Sequence, residues 1–166
     1  MYRLTRSLVL ASAFGLSVAA VFTLPAYAGA GKKGHSHDEE TAYGKPGDPK
    51  KKSRVVEIVM KEGEGTMSFE PAIVNIKQGE QIRFKLKNVG ALDHEIVIAT
   101  LEENLKHAKQ MEKYPDMDHV DHNAKRLKPN QSGEIIWHFT KAGKFDMSCL
   151  IPGHREAGMT GNVIVK

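Results

Sequence analysis

The chain has 166 residues, enough for one domain plus a leader, and its 24 basic against 20 acidic residues give a formal charge of +4. Basic and acidic residues are interleaved and only 7% of residues are aromatic, which argues against a nucleic-acid partner. The one cysteine, Cys149, excludes a disulfide framework within the chain.

The N-terminus carries Arg3 and Arg6, then an apolar run from Leu8 to Leu24, then a small-residue Ala26-Tyr-Ala28 site. This order predicts a cleavable signal peptide over 1–28 rather than a membrane anchor, because Ser7, Ser12, Gly15 and Ser17 weaken the run as a span. The expected location is the periplasm, with no stable membrane anchor after cleavage and any metal loaded outside the cytoplasm. Loss of Arg3 and Arg6 leaves a basic surplus of only two. Residues 29–53, rich in Gly, Pro, Lys and acids, offer almost nothing to bury and predict a flexible tail. His35 and His37 in that tail could hold a metal ion loosely or could simply be solvated.

From Arg54 the pattern changes to short β-like runs: 55–60, 72–77, 81–88, 94–99, 133–140, 144–149 and 162–166. Ile82, Phe84 and Leu86 alternate with Arg83, Lys85 and Lys87, the period-two signature of a strand with one buried face. Turn signals at 77–80, 88–90, 129–133 and 141–143 separate the runs, and this spacing predicts an all-β sandwich. Residues 54–166 are therefore expected to form one domain, interrupted by an insertion at 100–130. Thr100 and Glu103 have capping-box spacing, Leu101, Leu105, Ala108 and Met111 recur on one helical face, and Tyr114-Pro115 is a stop. The segment after the helix carries Met117, His119 and His122 among Asp116, Asp118 and Asp121. A loop of this length is usually functional or mobile.

An exported chain normally pairs its cysteines, so the lone Cys149 needs another occupant for its sulfur, or burial, or reactivity. His154 follows five residues later and Met159 five after that. Thiolate, imidazole and thioether together form a soft donor set suited to copper or zinc. Structural zinc would favour further Cys or His in pairs, and none flank Cys149. Two histidines, a cysteine and a weakly held methionine make the blue-copper arrangement. Cys149, His154 and Met159 supply three of these, leaving one imidazole to come from elsewhere in the fold, with His94 and His138 as candidates. A nucleophilic Cys149 with His154 as base is a competing reading, and Met159 could be core packing.

Two stretches, 68–99 and 143–165, resemble the two halves of the cupredoxins, the small blue-copper proteins that include azurins, plastocyanins, auracyanins and bacterial copper-resistance cupredoxins. The resemblance implies a Greek-key β-sandwich holding one type 1 copper. In that family the first histidine ligand follows an Asn-x-Gly turn, which maps onto His94, so the implied ligands are His94, Cys149, His154 and Met159. It also implies an electron port at His154, with Leu150, Ile151 and Pro152 as rim residues and Arg155 and Glu156 adding charge to that rim. Multicopper oxidases flank the cysteine with histidines, whereas here Ser148 and Leu150 flank it, so an enzyme is not expected. A binuclear purple copper centre would need a second cysteine.

One position departs from the family: the residue after the first ligand is often Asn, bonded across to the cysteine loop, and here it is Glu95. Such outer contacts tune a metal site. Glu95 could act as an alternative acceptor or could point to solvent. For function, copper tolerance is the leading expectation, because His35, His37, Met111, Met117, His119 and His122 would offer accessory copper sites. Packing of Met111 and solvation of the histidines is the plain alternative. The second functional reading is a periplasmic one-electron carrier serving a redox partner protein.

Overall fold

The computed structural model of the chain describes residues 40–115 and 121–166. The described residues contain ten strands and one helix. The strands are β1 (Lys45–Pro46), β2 (Arg54–Glu62), β3 (Met67–Glu70), β4 (Ile73–Ile76), β5 (Glu80–Asn88), β6 (His94–Ala99), β7 (Ala124–Leu127), β8 (Ser132–Phe139), β9 (Gly143–Ser148) and β10 (Thr160–Val165), with helix α1 (Leu101–Met111) between β6 and β7. Two five-stranded sheets, ordered β1-β8-β5-β2-β3 and β4-β10-β9-β6-β7, pack face to face as the expected Greek-key sandwich.

Alternation decides which side chains meet between the sheets. On β5, Ile82, Phe84 and Leu86 are buried, while Arg83 and Lys85 turn outward and both bond Glu134 of β8 at 2.9 Å. On β2 the inward series is Val56, Ile58 and Met60, and Glu62 ends it. Strand β6 is buried along its whole length because both of its faces are covered. Ile96 and Ile98 enter the main core, whereas Val97 packs under α1 with Met111, Ala124 and Leu150. Continuing the inward series backward places His94 at the mouth of the sandwich.

Helix α1 starts at its predicted cap: Thr100 accepts from the Glu103 amide and the Glu103 side chain answers the Thr100 amide. Its buried face keeps only the C-terminal half of the expected one. Leu101 and Leu105 are 52% and 44% exposed, and the helix instead buries Asn104 and Met111, with Ala108 partly covered. The reason is polar, because Asn104 Nδ2 reaches the Asp146 carboxylate at 2.8 Å and the Val97 carbonyl at 3.3 Å. Such a contact turns the helix by a rule that apolar periodicity does not contain.

The expected insertion at 100–130 is shorter than it looked. Residues 124–127 form β7, which pairs with β6, so that Glu95 lies opposite Arg126. The stretch expected as a flexible tail is packed over its described part. Tyr43 is buried and stacked on Trp137, β1 pairs with β8, and the Trp137 indole donates to the Tyr43 carbonyl at 2.9 Å. Gly44 makes this approach possible, since a Cβ there would lie 2.1 Å from the His138 carbonyl oxygen. Gln81 ties down the rest of the segment through the Asp48 amide and the Ser53 hydroxyl. Residues 1–39, including the expected signal peptide, His35 and His37, lie outside the described residues, as do Met117 and His119.

Candidate metal centre

Three strand ends and one loop build the site. His94 opens β6, Cys149 follows β9 on the inward series Phe145, Met147, Cys149, and residues 149–159 form the loop to β10. That loop is held by its own backbone. The Cys149 amide donates to the Met159 carbonyl (3.1 Å), the Met159 amide to the His154 carbonyl (3.0 Å) and the His154 amide to the Ile151 carbonyl (3.0 Å). Met159 is thereby returned to the neighbourhood of Cys149, and both are buried in the main core cluster.

The ligand atoms converge. Nδ1 of His94 lies 3.3 Å from Nδ1 of His154, which lies 3.4 Å from the Cys149 sulfur. Among the described residues, His94, Cys149 and His154 are the one group of three or more His, Cys, Asp or Glu side chains whose ligand atoms gather in this way, all within 4.8 Å. His94 and Cys149 are buried and His154 is half-buried. Two imidazole nitrogens and a sulfur, screened from water and facing one another, fit a soft transition metal such as copper. His138 stands elsewhere, its Nε2 against the Gly79 carbonyl at 3.0 Å.

Electrostatics sharpen the picture. Burial pushes the Cys149 thiol up to about 12, against smaller opposing effects from the Glu95 and Ile151 amides. An activated nucleophile is exposed and has a depressed pKa, and Cys149 is neither. A metal would instead take the place of the thiol proton. Burial also lowers His154, and the neighbouring His94 ring adds to this, so its nitrogen is available as a neutral donor near neutral pH.

Glu95 is buried and does not point to solvent. Its backbone amide donates to the Cys149 sulfur at 3.3 Å, so the bond across to the cysteine comes from the main chain. Leu150, expected at the rim, is buried beneath α1, while Pro152 is exposed and Ile151 is partly covered. Met111 is buried in the same cluster as Leu150, packing the helix onto the sandwich, whereas His122 is exposed.

Two features escaped sequence reasoning. Glu62 ends the inward series of β2, and its Oε1 lies 3.1 Å from Nε2 of His94. The same carboxylate accepts from the amides of Leu92 (2.8 Å) and Ala91 (3.0 Å). Burial raises its pKa, but these amides together with His94 outweigh that and hold it below the usual carboxylate value. A charged residue continuing an inward alternation was the available signal. The second feature is a buried polar clamp. Asp146 accepts from Asn104 of α1 (2.8 Å), from Ser148 (2.5 Å) and from both terminal nitrogens of Arg155 (2.9 and 3.3 Å). Ser148 and Arg155 adjoin Cys149 and His154, so the clamp ties the inserted helix to the ligand loop.

A two-sheet Greek-key sandwich with a buried His, Cys, His cluster at its mouth defines a cupredoxin. Residues 56–166 match the family described as copper binding proteins, plastocyanin/azurin family, and the chain belongs to it. Over 158 residues it is 46% identical to the copper-resistant cuproprotein CopI of Rubrivivax gelatinosus, covering 91% of this chain and 94% of that one. It is 33% identical over 154 residues to the CopI of Pseudomonas aeruginosa, covering 75% and 83%. Among solved structures, the dithionite-reduced auracyanin of Roseiflexus castenholzii superposes with a TM-score of 0.57 at 22% identity, covering 69% of this chain and 98% of that one. At that identity the likeness speaks to the fold alone.

Proposed function

We propose that this protein is a periplasmic type 1 copper protein that binds one copper ion in redox-active form and acts in copper tolerance. The observation that carries the reading is the convergence of His94 Nδ1, His154 Nδ1 and the Cys149 sulfur in a buried cluster. The near-full-length likeness to copper-resistance cuproproteins supports the physiological part. His94, Cys149 and His154 would hold the ion, with Met159, which the loop's backbone bonds return beside Cys149, as the fourth ligand.

Copper bound there would supply one-electron Cu(II)/Cu(I) chemistry. The chain contributes a site that changes little on electron transfer. The β6 and β9 ends are fixed in the sheet, and the loop amides are bonded within the loop. The Glu95 amide aims at the sulfur, where it stabilises thiolate charge. The protein is read as a redox metalloprotein and not as an enzyme, with oxidation of Cu(I) at the site left open. Further copper could bind at His35, His37, Met117, His119 and His122, whereas Met111 is occupied in packing.

The second reading, a one-electron carrier with a protein redox partner, is favoured by one observation: His154 is half-buried beside exposed Pro152, so a partner could approach the site from that side. Growth of a deletion strain on copper separates the two. Copper tolerance predicts copper sensitivity without a respiratory defect, rescued by the intact gene but not by Cys149→Ser. A respiratory defect without copper sensitivity supports the carrier and contradicts copper tolerance.

A further inference from the structure

Glu62 has no counterpart in the ligand pattern, yet its side chain reaches the ring of a ligand directly. Its Oε1 lies 3.1 Å from Nε2 of His94, on the ring edge away from Cys149 and His154. The Nδ1 edge of the same ring faces the other ligand atoms. An ionised carboxylate only accepts, so this contact requires the proton on Nε2 and leaves the Nδ1 lone pair directed at the metal position. Of the two neutral tautomers, only this one can ligate through Nδ1.

The carboxylate is itself held firmly. The Ala91 and Leu92 amides donate to its two oxygens at 3.0 and 2.8 Å, and Gly90 passes so close that a Cβ there would fall 2.1 Å from Oε2. The Asn88 side chain closes the same turn, donating to the Leu92 carbonyl at 2.7 Å and accepting from the Gly90 amide at 2.9 Å. The β5–β6 turn is thus shaped around a negative charge, with the Glu62 side chain 23% exposed. A loop capped only for stability would not need that charge aimed at the ring of a ligand.

We propose that Glu62 is a positioning residue of the copper site, fixing the tautomer and orientation of His94 and strengthening its donor nitrogen, so that Cu(II) is favoured over Cu(I). This rests on the copper reading above. A carboxylate hydrogen-bonded to a metal-ligating histidine raises ligand basicity, and its loss typically costs about 10–100-fold in metal affinity. A nearby negative charge also stabilises the more positive oxidation state. The loss therefore falls mainly on Cu(II), and the reduction potential rises by about 59 mV for each tenfold difference in affinity.

The test uses the mature chain, its Glu62→Gln variant and Gly90→Ala, which crowds the carboxylate without altering its chemistry. Cu(II) and Cu(I) affinities are measured by competition with chelators, the potential by redox titration, and the His94 ring protons by NMR in the metal-depleted and Cu(I) forms. Glu62→Gln is expected to lose at least tenfold in Cu(II) affinity, to lose less for Cu(I), and to shift the His94 Nε2–H resonance. Gly90→Ala should move the potential in the same direction by a smaller amount. If wild type takes up no copper at Cys149, the copper reading itself fails. If wild type binds copper but both variants keep its potential and its His94 signals, Glu62 serves only the turn and the proposal is overturned.

Discussion

Replacing Asp146 by Ala removes the acceptor shared by Asn104, Ser148 and Arg155. Asp146 is 9% exposed and Arg155 only 18%, so the substitution leaves two buried polar side chains and a largely covered guanidinium without their carboxylate. Deleting one partner of a buried ion pair costs about 3–5 kcal/mol. Arg155 sits at the loop surface and can turn toward water, which places the expected loss near the lower bound, about 3 kcal/mol. For a urea slope of about 2 kcal/mol per molar, the unfolding midpoint falls by roughly 1.5 M. Trp137, the one tryptophan and a buried one, reports the transition by fluorescence. Asp146→Asn keeps an acceptor oxygen and should lose about half as much. Because Ser148 and Arg155 adjoin Cys149 and His154, the Ala variant should also bind copper more weakly. A midpoint within about 0.3 M of wild type would mean that the clamp carries no net energy.

The helix orientation predicts an asymmetry: Met111→Ala should cost about 2–5 kcal/mol, while Leu105→Gln should stay within about 0.5 kcal/mol, and the reverse order in urea unfolding would contradict the buried face described. Tyr43→Ala should destabilise by about 3 kcal/mol, because the ring stacks on Trp137 at 5.4 Å and meets Phe145 at 6.1 Å; an unchanged midpoint would mean that residues 40–53 do not belong to the folded unit. The metal-depleted protein should lose stability in alkali. The Cys149 thiol ionises near 9.0 when unfolded but only near about 12 when folded, so its contribution is complete below pH 9 and is lost as pH rises toward 12. At about 1.4 kcal/mol per unit the loss approaches about 4 kcal/mol, with Tyr43 adding to it above pH 10. Cys149→Ser should flatten most of this slope in unfolding experiments run across that range, and an equally steep slope in the variant would sink the assignment.

Most of the sandwich could be read from the chain because its strands bury one face and expose the other. The alternation in β5 and the continuous burial of β6, apolar from Ile96 to Ala99, follow directly from the layers they occupy. The elements that escaped are short or polar. β1 and β7 have two and four residues, too few for a periodicity to emerge, and the contribution of residues 40–53 rests on one aromatic, Tyr43, in a polar stretch. Leu101 and Leu105 suggested a helix face that the Asn104 to Asp146 bond overrides. At the site, Cys149 and His154 were legible from local spacing. His94 required the family resemblance because it lies 55 residues away in sequence from Cys149. Glu62 and the Asp146 clamp are long-range polar contacts, and nothing in the neighbouring residues names their partners.

On the function proposed above, His94, Cys149 and His154 hold one copper ion through the Cys149 sulfur. The measurement that bears on it most directly is a copper titration of the reduced, metal-depleted protein, following visible thiolate-to-copper absorption alongside total bound metal, with Cys149→Ser as control. Intense absorption that saturates at one equivalent and vanishes in Cys149→Ser is the predicted result, and any copper taken up after saturation would mark the accessory histidines and methionines. Copper uptake without intense absorption, or absorption that survives in Cys149→Ser, would contradict the account.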